Sequence, residues 1–222
     1  MELSDFYSNF YVIDNPCSKK NYSGLITNND SDFAQILRSE IFYDKLDIDY
    51  LEGGSEPSNV FWNQICEPFC VSDTIVSLLN NNNIRGWDKI PARVRNKSGD
   101  LLKDNYFALT VNGRIKMIDY LKSDIIIKQM PGGLFPYFKG LYFDPEFWDI
   151  SDIFMEQYNY VGKATAFVFV TKKIVDIFKK NKITNIRFIN FNDYEIPCSN
   201  ITITAEGLYL QKINEKIKNA CT

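Results

Sequence analysis

Histidine is absent from all 222 residues of the chain. This absence excludes Ser-His-Asp and Cys-His catalysis, a histidine general base and any histidine metal ligand. The glycines also lack the spacing of a phosphate-binding loop or a dinucleotide fingerprint, because Gly53-Gly54 and Gly132-Gly133 are isolated doublets. We therefore expect no cofactor, and an enzyme of this sequence would have to rely on carboxylates, lysine or tyrosine.

Cysteine is scarce, and long hydrophobic runs are missing. Of five cysteines only Cys66 and Cys70 are closely spaced, and no second pair exists to complete a zinc site, so we expect reduced, mostly buried thiols. No apolar run approaches the roughly 20 residues that span a bilayer. The stretch ELSDFYSNFYVIDN lacks the basic and apolar regions of a secretory signal. These features predict a soluble cytoplasmic protein with no membrane partner.

A phrase repeated 99 residues apart is the most informative feature that is present. VSDTIVSLLNNNNIRGW at 71–87 aligns without gaps to VTKKIVDIFKKNKITNI at 170–186. Each copy predicts a helix with one buried stripe, an asparagine-containing exit and a following strand. Ser72 and Thr171 stand where side-chain oxygens cap a first turn, so we expect both to cap helices. The repeat predicts two related helix-strand units that pack on sheets.

The remaining segments predict more strands than helices. FYVIDN, RGWDKIPARV, KATAFVFV and TNIRFINF are typical of strands, and DFAQILRSEIF and EGLYLQKINEKIKNA of helices. NYFALTVNGRIKMIDY predicts a β-hairpin that turns at Asn112-Gly113. Because strands and helices do not alternate regularly, we expect an α+β fold with mixed or antiparallel sheets. The chain divides either into an N-terminal lobe over 1–130 and a C-terminal lobe over 131–222, or forms one compact domain.

Several short motifs follow one another between 69 and 191. A V-S helix precedes a strand that reaches a proline, a tyrosine-rich strand with an N-G-R turn, a D-x-x-K-S-D segment and a V-T helix that ends in N-I-R-F. In this order they resemble the bacterial immunity proteins of polymorphic toxin systems, although Asn185 stands where that pattern has glycine. The resemblance implies a non-catalytic cytoplasmic protein that binds and neutralises a cognate toxin. It rests on Pro91, Tyr106, Asn112, Arg114, Asp119, Lys122, Ser123, Asp124, Asn185, Arg187 and Phe188.

Two acidic blocks are the candidate surface for a partner. Residues 40–56 hold six acidic residues and one lysine, and residues 144–156 hold five acidic residues, no basic residue and several aromatic ones. Acidic groups steer the encounter with a basic partner, and aromatic anchors supply binding energy. In the competing interpretation, Phe147, Ile150 and Phe154 fill the core and the acidic residues merely face solvent. The candidate partner-binding residues are Asp44, Asp47, Asp49, Tyr50, Glu52, Asp144, Glu146, Trp148, Asp149 and Asp152.

Two other functions remain open at this point. Asp144, Glu146 and Asp149 lie near aromatic residues, as in a carboxylate-dependent hydrolase or transferase, which needs two carboxyl groups about 5–10 Å apart across a cleft. A protein-binding regulator or scaffold is the other alternative. Nucleic-acid binding is not expected, because the net charge is −3 and the lysines after 164 are explained by a solvated helix face. The oligomeric state is unknown from the sequence.

Overall fold

The computed structural model describes residues 3–27, 33–64, 68–103, 105–157, 167–203, 205 and 207–221. These residues form six α-helices and fourteen strands in three sheets. This arrangement confirms the α+β class with mixed and antiparallel sheets. Cys66 and the first residues of KATAFVFV, 163–166, lie outside the described residues.

The helices are short except for the last one. They are α1 (Leu3–Tyr7), α2 (Phe33–Leu37), α3 (Asp73–Asn81), α4 (Lys172–Lys180), α5 (Cys198–Thr202) and α6 (Gly207–Cys221), with 3₁₀ turns at Pro145–Phe147 and Phe191–Asp193. The strands are β1 (Phe10–Asp14), β2 (Ser23–Ile26), β3 (Leu46–Glu52), β4 (Val60–Phe61), β5 (Cys70–Ser72), β6 (Trp87–Val94), β7 (Tyr106–Val111), β8 (Arg114–Ile115), β9 (Asp124–Met130), β10 (Gly133–Lys139), β11 (Ile153–Glu156), β12 (Phe169–Thr171), β13 (Arg187–Asn190) and β14 (Glu195–Pro197).

The strands are distributed over sheets of six, five and three. Their orders are β2-β3-β6-β7-β5-β4, β13-β1-β12-β11-β8 and β14-β10-β9. The pairs β3-β6 and β8-β11 are parallel. β1, near the start of the chain, pairs with both β12 and β13. The expected lobe boundary near residue 130 falls at the turn between β9 and β10, and strands from both sides of it share the five-stranded sheet.

The repeated phrase forms two helix-strand units, as predicted. α3 follows β5, and α4 follows β12. Both helices bury their apolar stripe in the same hydrophobic cluster, so the two units share one core. The stripe residues are Ile75, Val76 and Leu79 in α3 and Ile174, Val175 and Phe178 in α4.

Each unit also contains a leading strand that the sequence comparison missed. β4 pairs antiparallel with β5 so that Val60 lies opposite Val71, and β11 pairs antiparallel with β12 so that Ile153 lies opposite Val170. The leading strands precede their partners by different distances along the chain, so an ungapped comparison cannot align them. The structural repeat is therefore strand, strand, helix, strand.

The turns after the two helices dock reciprocally on the other unit's leading strand. Gly86 and Asn185 occupy equivalent positions, with φ of 93° and 61°. A Cβ on Gly86 would lie 2.0 Å from the Ile153 carbonyl oxygen, whereas the Asn185 side chain donates to the Val60 carbonyl at 2.8 Å. Trp62 Nε1 donates in turn to the Asn185 carbonyl at 2.7 Å. Asparagine replaces glycine at 185 because it tolerates the left-handed backbone and binds the opposite unit.

The prediction that two hydroxyls cap the helices is correct in position but wrong in the hydrogen bonds. Ser72 and Thr171 are the N-cap residues of α3 and α4, but neither makes a side-chain cap hydrogen bond. Ser72 Oγ donates to Asn59 Oδ1 at 2.8 Å, and Thr171 Oγ1 donates to Asp152 Oδ1 at 3.2 Å. Asn59 and Asp152 immediately precede the leading strands β4 and β11. The two hydroxyls therefore connect the helix starts to the leading strands as donors, and neither accepts a hydrogen bond from the first turn of its helix.

The predicted hairpin at Asn112-Gly113 is also wrong. β7 belongs to the six-stranded sheet, and β8 pairs with β11 in the five-stranded sheet. The backbone N–H groups of Asn112 and Gly113 donate to the Gly86 carbonyl at 3.0 and 3.1 Å. This contact with the first repeat turn directs the chain from the six-stranded sheet to the five-stranded one. A prediction from local sequence cannot include it, because Gly86 is distant in the chain.

Cysteine exposure agrees broadly with expectation. Cys70 and Cys198 are buried, and Cys17 is exposed. Among the helices described, none combines the length and apolarity required to cross a membrane.

Candidate functional site

The first acidic block is a strand whose charges are largely matched by its neighbour. β3 runs parallel to β6, which places Asp47 opposite Arg93. The Arg93 guanidinium hydrogen-bonds both oxygens of Asp47 and lowers the pKa of that carboxyl. Asp49 forms an ion pair with Arg95, 3.2 Å between Oδ1 and Nε. Two of the predicted partner-binding carboxylates are thus neutralised within the sheet.

The other candidates of this block do not form a continuous acidic surface. Tyr50 is half-buried, and its hydroxyl donates to the Gly53 carbonyl at 2.9 Å. Asp44 and Glu52 are exposed, but they stand at opposite ends of β3. Glu40 pairs with the buried Arg38 at 2.8 Å. This region offers isolated charges and not an acidic patch.

The second block forms a loop before β11, which we call the acidic loop (residues 144–152). It begins with the 3₁₀ turn at Pro145–Phe147, and Asp144 caps that turn by accepting from the Glu146 backbone N–H at 3.1 Å. Trp148 packs inward beneath the loop, edge to face with Phe10 at 5.1 Å between ring centroids. Trp148 therefore anchors the loop to the core.

The competing interpretation of this block is wrong for two of its three residues. Phe154 is fully buried, but Phe147 is 50% exposed and Ile150 is 62% exposed. The Lys116 ammonium lies 4.3 Å from the centroid of the Phe147 ring. The acidic loop thus turns two large apolar side chains outward and the intervening tryptophan inward.

Asp149 fixes the loop by accepting three hydrogen bonds. The backbone N–H groups of Arg114 and Ser151 donate to it at 2.8 and 3.0 Å, and the Ser151 hydroxyl donates as well. Arg114 itself donates to the carbonyls of Val111 and Arg38. Burial, and then the charge of Arg38, lower the pKa of the Arg114 guanidinium. Asp149 is thus exposed, but its carboxylate is occupied by hydrogen bonds that stabilise the loop.

Asp152 fastens the far end of the loop to both repeat units. It accepts from the Arg85 backbone N–H at 3.1 Å, from the Thr171 hydroxyl at 3.2 Å and from the Lys173 ammonium at 3.3 Å. Its side chain is only 14% exposed. Asp152 is therefore a structural anchor, in contrast to its predicted role in contacting a partner.

Ile150 has a left-handed backbone with φ of 61°. For a β-branched residue this conformation is an outlier that costs about 1–2 kcal/mol, because Cβ crowds the following carbonyl. Arg85 Nη2 donates to the Ile150 carbonyl at 2.6 Å, and the bonds of Asp149 and Asp152 hold the residues on either side. Strain maintained by its surroundings is a marker of functional loops.

Six residues of the acidic loop are exposed, and apart from Pro145 and the hydrogen-bonded Asp149 they are Asp144, Glu146, Phe147 and Ile150. Within the described part of the chain, Asp144 and Glu146 make no ion pair. The sequence indicated the two carboxylates but assigned the two apolar residues to the core. The alternation of apolar and acidic residues gave no sign of the left-handed turn, which changes the direction in which Ile150 points.

A hydrolase or transferase would need paired carboxylates in a cleft, and neither of two cavities in the structure has them among the described residues. One, of about 320 Å³, adjoins the acidic loop and has Asp152 as its single described carboxylate, while Lys172 and Lys173 also line it. The other, of about 340 Å³, is lined by Lys45, Arg93 and, among described residues, no acidic side chain. Metal-ligand clusters are likewise absent from the residues the structure covers. The cavities therefore give the hydrolase or transferase hypothesis no support.

No protein-family model matches this chain, and no curated protein shows significant sequence similarity to it. Function must therefore be argued from the acidic loop and from the motifs of the sequence.

Proposed function

We propose that this chain is a non-catalytic protein that binds a cognate bacterial toxin and neutralises it in the cytoplasm. The observation that carries the proposal is the strained, exposed Ile150 beside the exposed Phe147. The resemblance of residues 69–191 to immunity proteins supports the toxin as partner. The acidic loop supports protein binding as the mode of action.

The chemistry of the acidic loop suits a basic partner with an apolar depression. Phe147 and Ile150 can insert as anchors, since large apolar side chains at the centre of an interface supply most of its energy. Asp144 and Glu146 flank them and attract cationic groups, which raises the association rate more than the affinity. We expect a toxin surface rich in lysine or arginine around a small hydrophobic pocket.

The internal hydrogen bonds of the loop favour tight binding. Asp149, Asp152 and Arg85 fix the backbone around Ile150 before any partner arrives. A preformed loop loses little conformational entropy on association, so more of the contact energy appears as affinity. Pre-organisation of the loop for binding would account for the backbone strain at Ile150, which folding alone does not explain.

Growth rescue tests the proposal. Toxin domains encoded beside the gene of this chain would be expressed in a sensitive host together with the wild type, with the variant Phe147→Ala/Ile150→Asp, or with Phe42→Ala. Phe42 is 71% exposed and lies outside the acidic loop, which makes it the matched control. We expect rescue by the wild type and the control, and none by the loop variant. Failure of the wild type to rescue or bind any of these toxins, or full rescue by the loop variant, would overturn the proposal.

A further inference from the structure

The hairpin of β9 and β10 carries four exposed large apolar side chains, and it lies outside the acidic loop. Ile127 and Met130 are each 41% exposed, Phe135 is 44% exposed and Leu134 is 68% exposed. Met130, Leu134 and Phe135 lie near the turn through Gly132 and Gly133, and Ile127 lies in the middle of β9. The strand register places Ile127 and Leu134 on one face of the hairpin and Met130 and Phe135 on the other.

β9 also has an unprotected edge. It ends the order β14-β10-β9, so no described strand pairs with its outer side. Its pairing with β10 runs through seven residue pairs without a bulge, and the strand, DIIIKQM, contains no proline. Its one lysine, Lys128, is bound to Glu195 and lies 4.8 Å from the Tyr137 ring centroid. Two of the usual devices that prevent strand-to-strand association at an edge, a β-bulge and a proline, are therefore absent from β9.

The charges of β9 are self-complementary. Asp124 and Lys128 lie two residues before and after Ile126. If two β9 strands pair antiparallel about a two-fold axis at Ile126, each Asp124 lies opposite Lys128 of the second copy. In the same register Ile125 lies opposite Ile127, and residues directly opposite share a face and contact each other. A single register thus gives apolar pairing and brings Asp124 of one copy next to Lys128 of the other, which keeps its ion pair with Glu195.

We propose that two copies of this chain associate through antiparallel pairing of their β9 strands, centred on Ile126. The two three-stranded sheets then form one continuous six-stranded sheet, and the edge of β9 is no longer exposed. The interface is isologous, as in most homodimers, because the same strand contributes to both sides. The acidic loop leads into β11 of the five-stranded sheet, whereas β9 belongs to the three-stranded sheet. This association therefore does not rest on the proposed toxin binding.

Sedimentation equilibrium of the purified full chain tests the association. We expect the wild type to dimerise as its concentration rises and Ile126→Arg to remain monomeric, because two like charges would meet at the axis. Leu101→Arg is the matched control, since Leu101 is 52% exposed and lies outside the hairpin. Circular dichroism would establish that Ile126→Arg is folded. A wild type that stays monomeric at every soluble concentration would overturn the proposal, and so would an Ile126→Arg variant that dimerises as well as the wild type.

Cysteine crosslinking tests the register, even where Ile126→Arg fails to fold. Ile126→Cys places two thiols opposite each other at the axis, so mild oxidation should give a disulfide-linked dimer. Leu134→Cys is the control, because Leu134 is more exposed but belongs to β10, which does not face the second copy. Equal crosslinking of the two variants, or none with Ile126→Cys, would exclude this register. A monomer whose Ile126→Arg variant loses only toxin binding would assign the edge to the toxin and overturn the proposal.

Discussion

Ile150 combines two properties that folding alone rarely selects. Its backbone is left-handed, and its side chain is mostly exposed, so burial does not offset the strain. Asparagine tolerates this conformation far better, because its short polar side chain can hydrogen-bond locally. Isoleucine at this position therefore costs the fold stability, which is the basis for our proposal that its side chain contacts the partner.

Replacement of Ile150 by asparagine should stabilise the fold. We expect Ile150→Asn to raise the free energy of unfolding by about 1 kcal/mol, through relief of backbone strain. Urea unfolding followed by fluorescence would measure this change. Ile203→Asn is the control, because Ile203 is 77% exposed with an ordinary helical φ of −67° and should give no gain. Destabilisation by Ile150→Asn would refute the claim of strain.

The ion pair of Asp47 and Arg93 should make stability depend on acidity. Hydrogen bonds from Arg93 lower the pKa of Asp47 in the folded state, so the pair stabilises the protein above the unfolded-state pKa of about 3.9. This contribution is lost as the pH falls through the folded-state pKa. We expect the stability difference between wild type and Asp47→Asn, measured by urea unfolding, to be largest near neutral pH and to shrink on acidification. Asp44→Asn provides the comparison, and a difference that is constant from neutral to strongly acidic pH would contradict the assignment.

The repeat unit shows how far the sequence could predict the secondary elements. Apolar spacing correctly located α3, α4 and their buried stripes, because that spacing is a local property of each helix. The leading strands β4 and β11 were missed, since their relation appears only when strands pair. The hairpin prediction failed at Asn112-Gly113 for the same reason: the Gly86 carbonyl, distant in sequence, accepts both N–H groups.

The two repeat turns should respond differently to substitution. Gly86→Ala should destabilise by more than about 2 kcal/mol, because it combines a positive φ with the clash at the Ile153 carbonyl. Asn185→Gly should cost about 1 kcal/mol, because it removes the hydrogen bond that the Asn185 amide donates to Val60 and the one that it accepts from Asn21.

Gly99→Ala is the control that distinguishes the cost of a positive φ from the cost of the steric clash at Gly86. Gly99 has φ of 87°, but a Cβ there would meet nothing within 4 Å. Chemical unfolding should therefore show Gly99→Ala to be much milder than Gly86→Ala. Equal losses at the two positions would mean that the reciprocal docking of the turns contributes little.

At the scale of the whole molecule, both repeat units are built into one framework that presents the acidic loop. A single hydrophobic cluster joins residues from Ile13 to Phe178, and Asp152 connects the loop to the turn of the first unit and the helix start of the second. The sequence predicted the fold class and indicated Asp144 and Glu146, but it gave no sign that Phe147 and Ile150 are exposed. It could not separate carboxylates that anchor the loop from those that face solvent, because this depends on donors contributed by distant segments.

Calorimetric titration of the purified toxin domain into the wild type and Ile150→Asn tests the central claim most directly. We expect the wild type to form a stoichiometric complex and Ile150→Asn to bind at least about tenfold more weakly, equivalent to roughly 1.4 kcal/mol, although its fold is more stable. Affinity and stability should thus change in opposite directions. Equal affinity of the two proteins, or inactivation of excess toxin by a trace of this chain, would contradict the account.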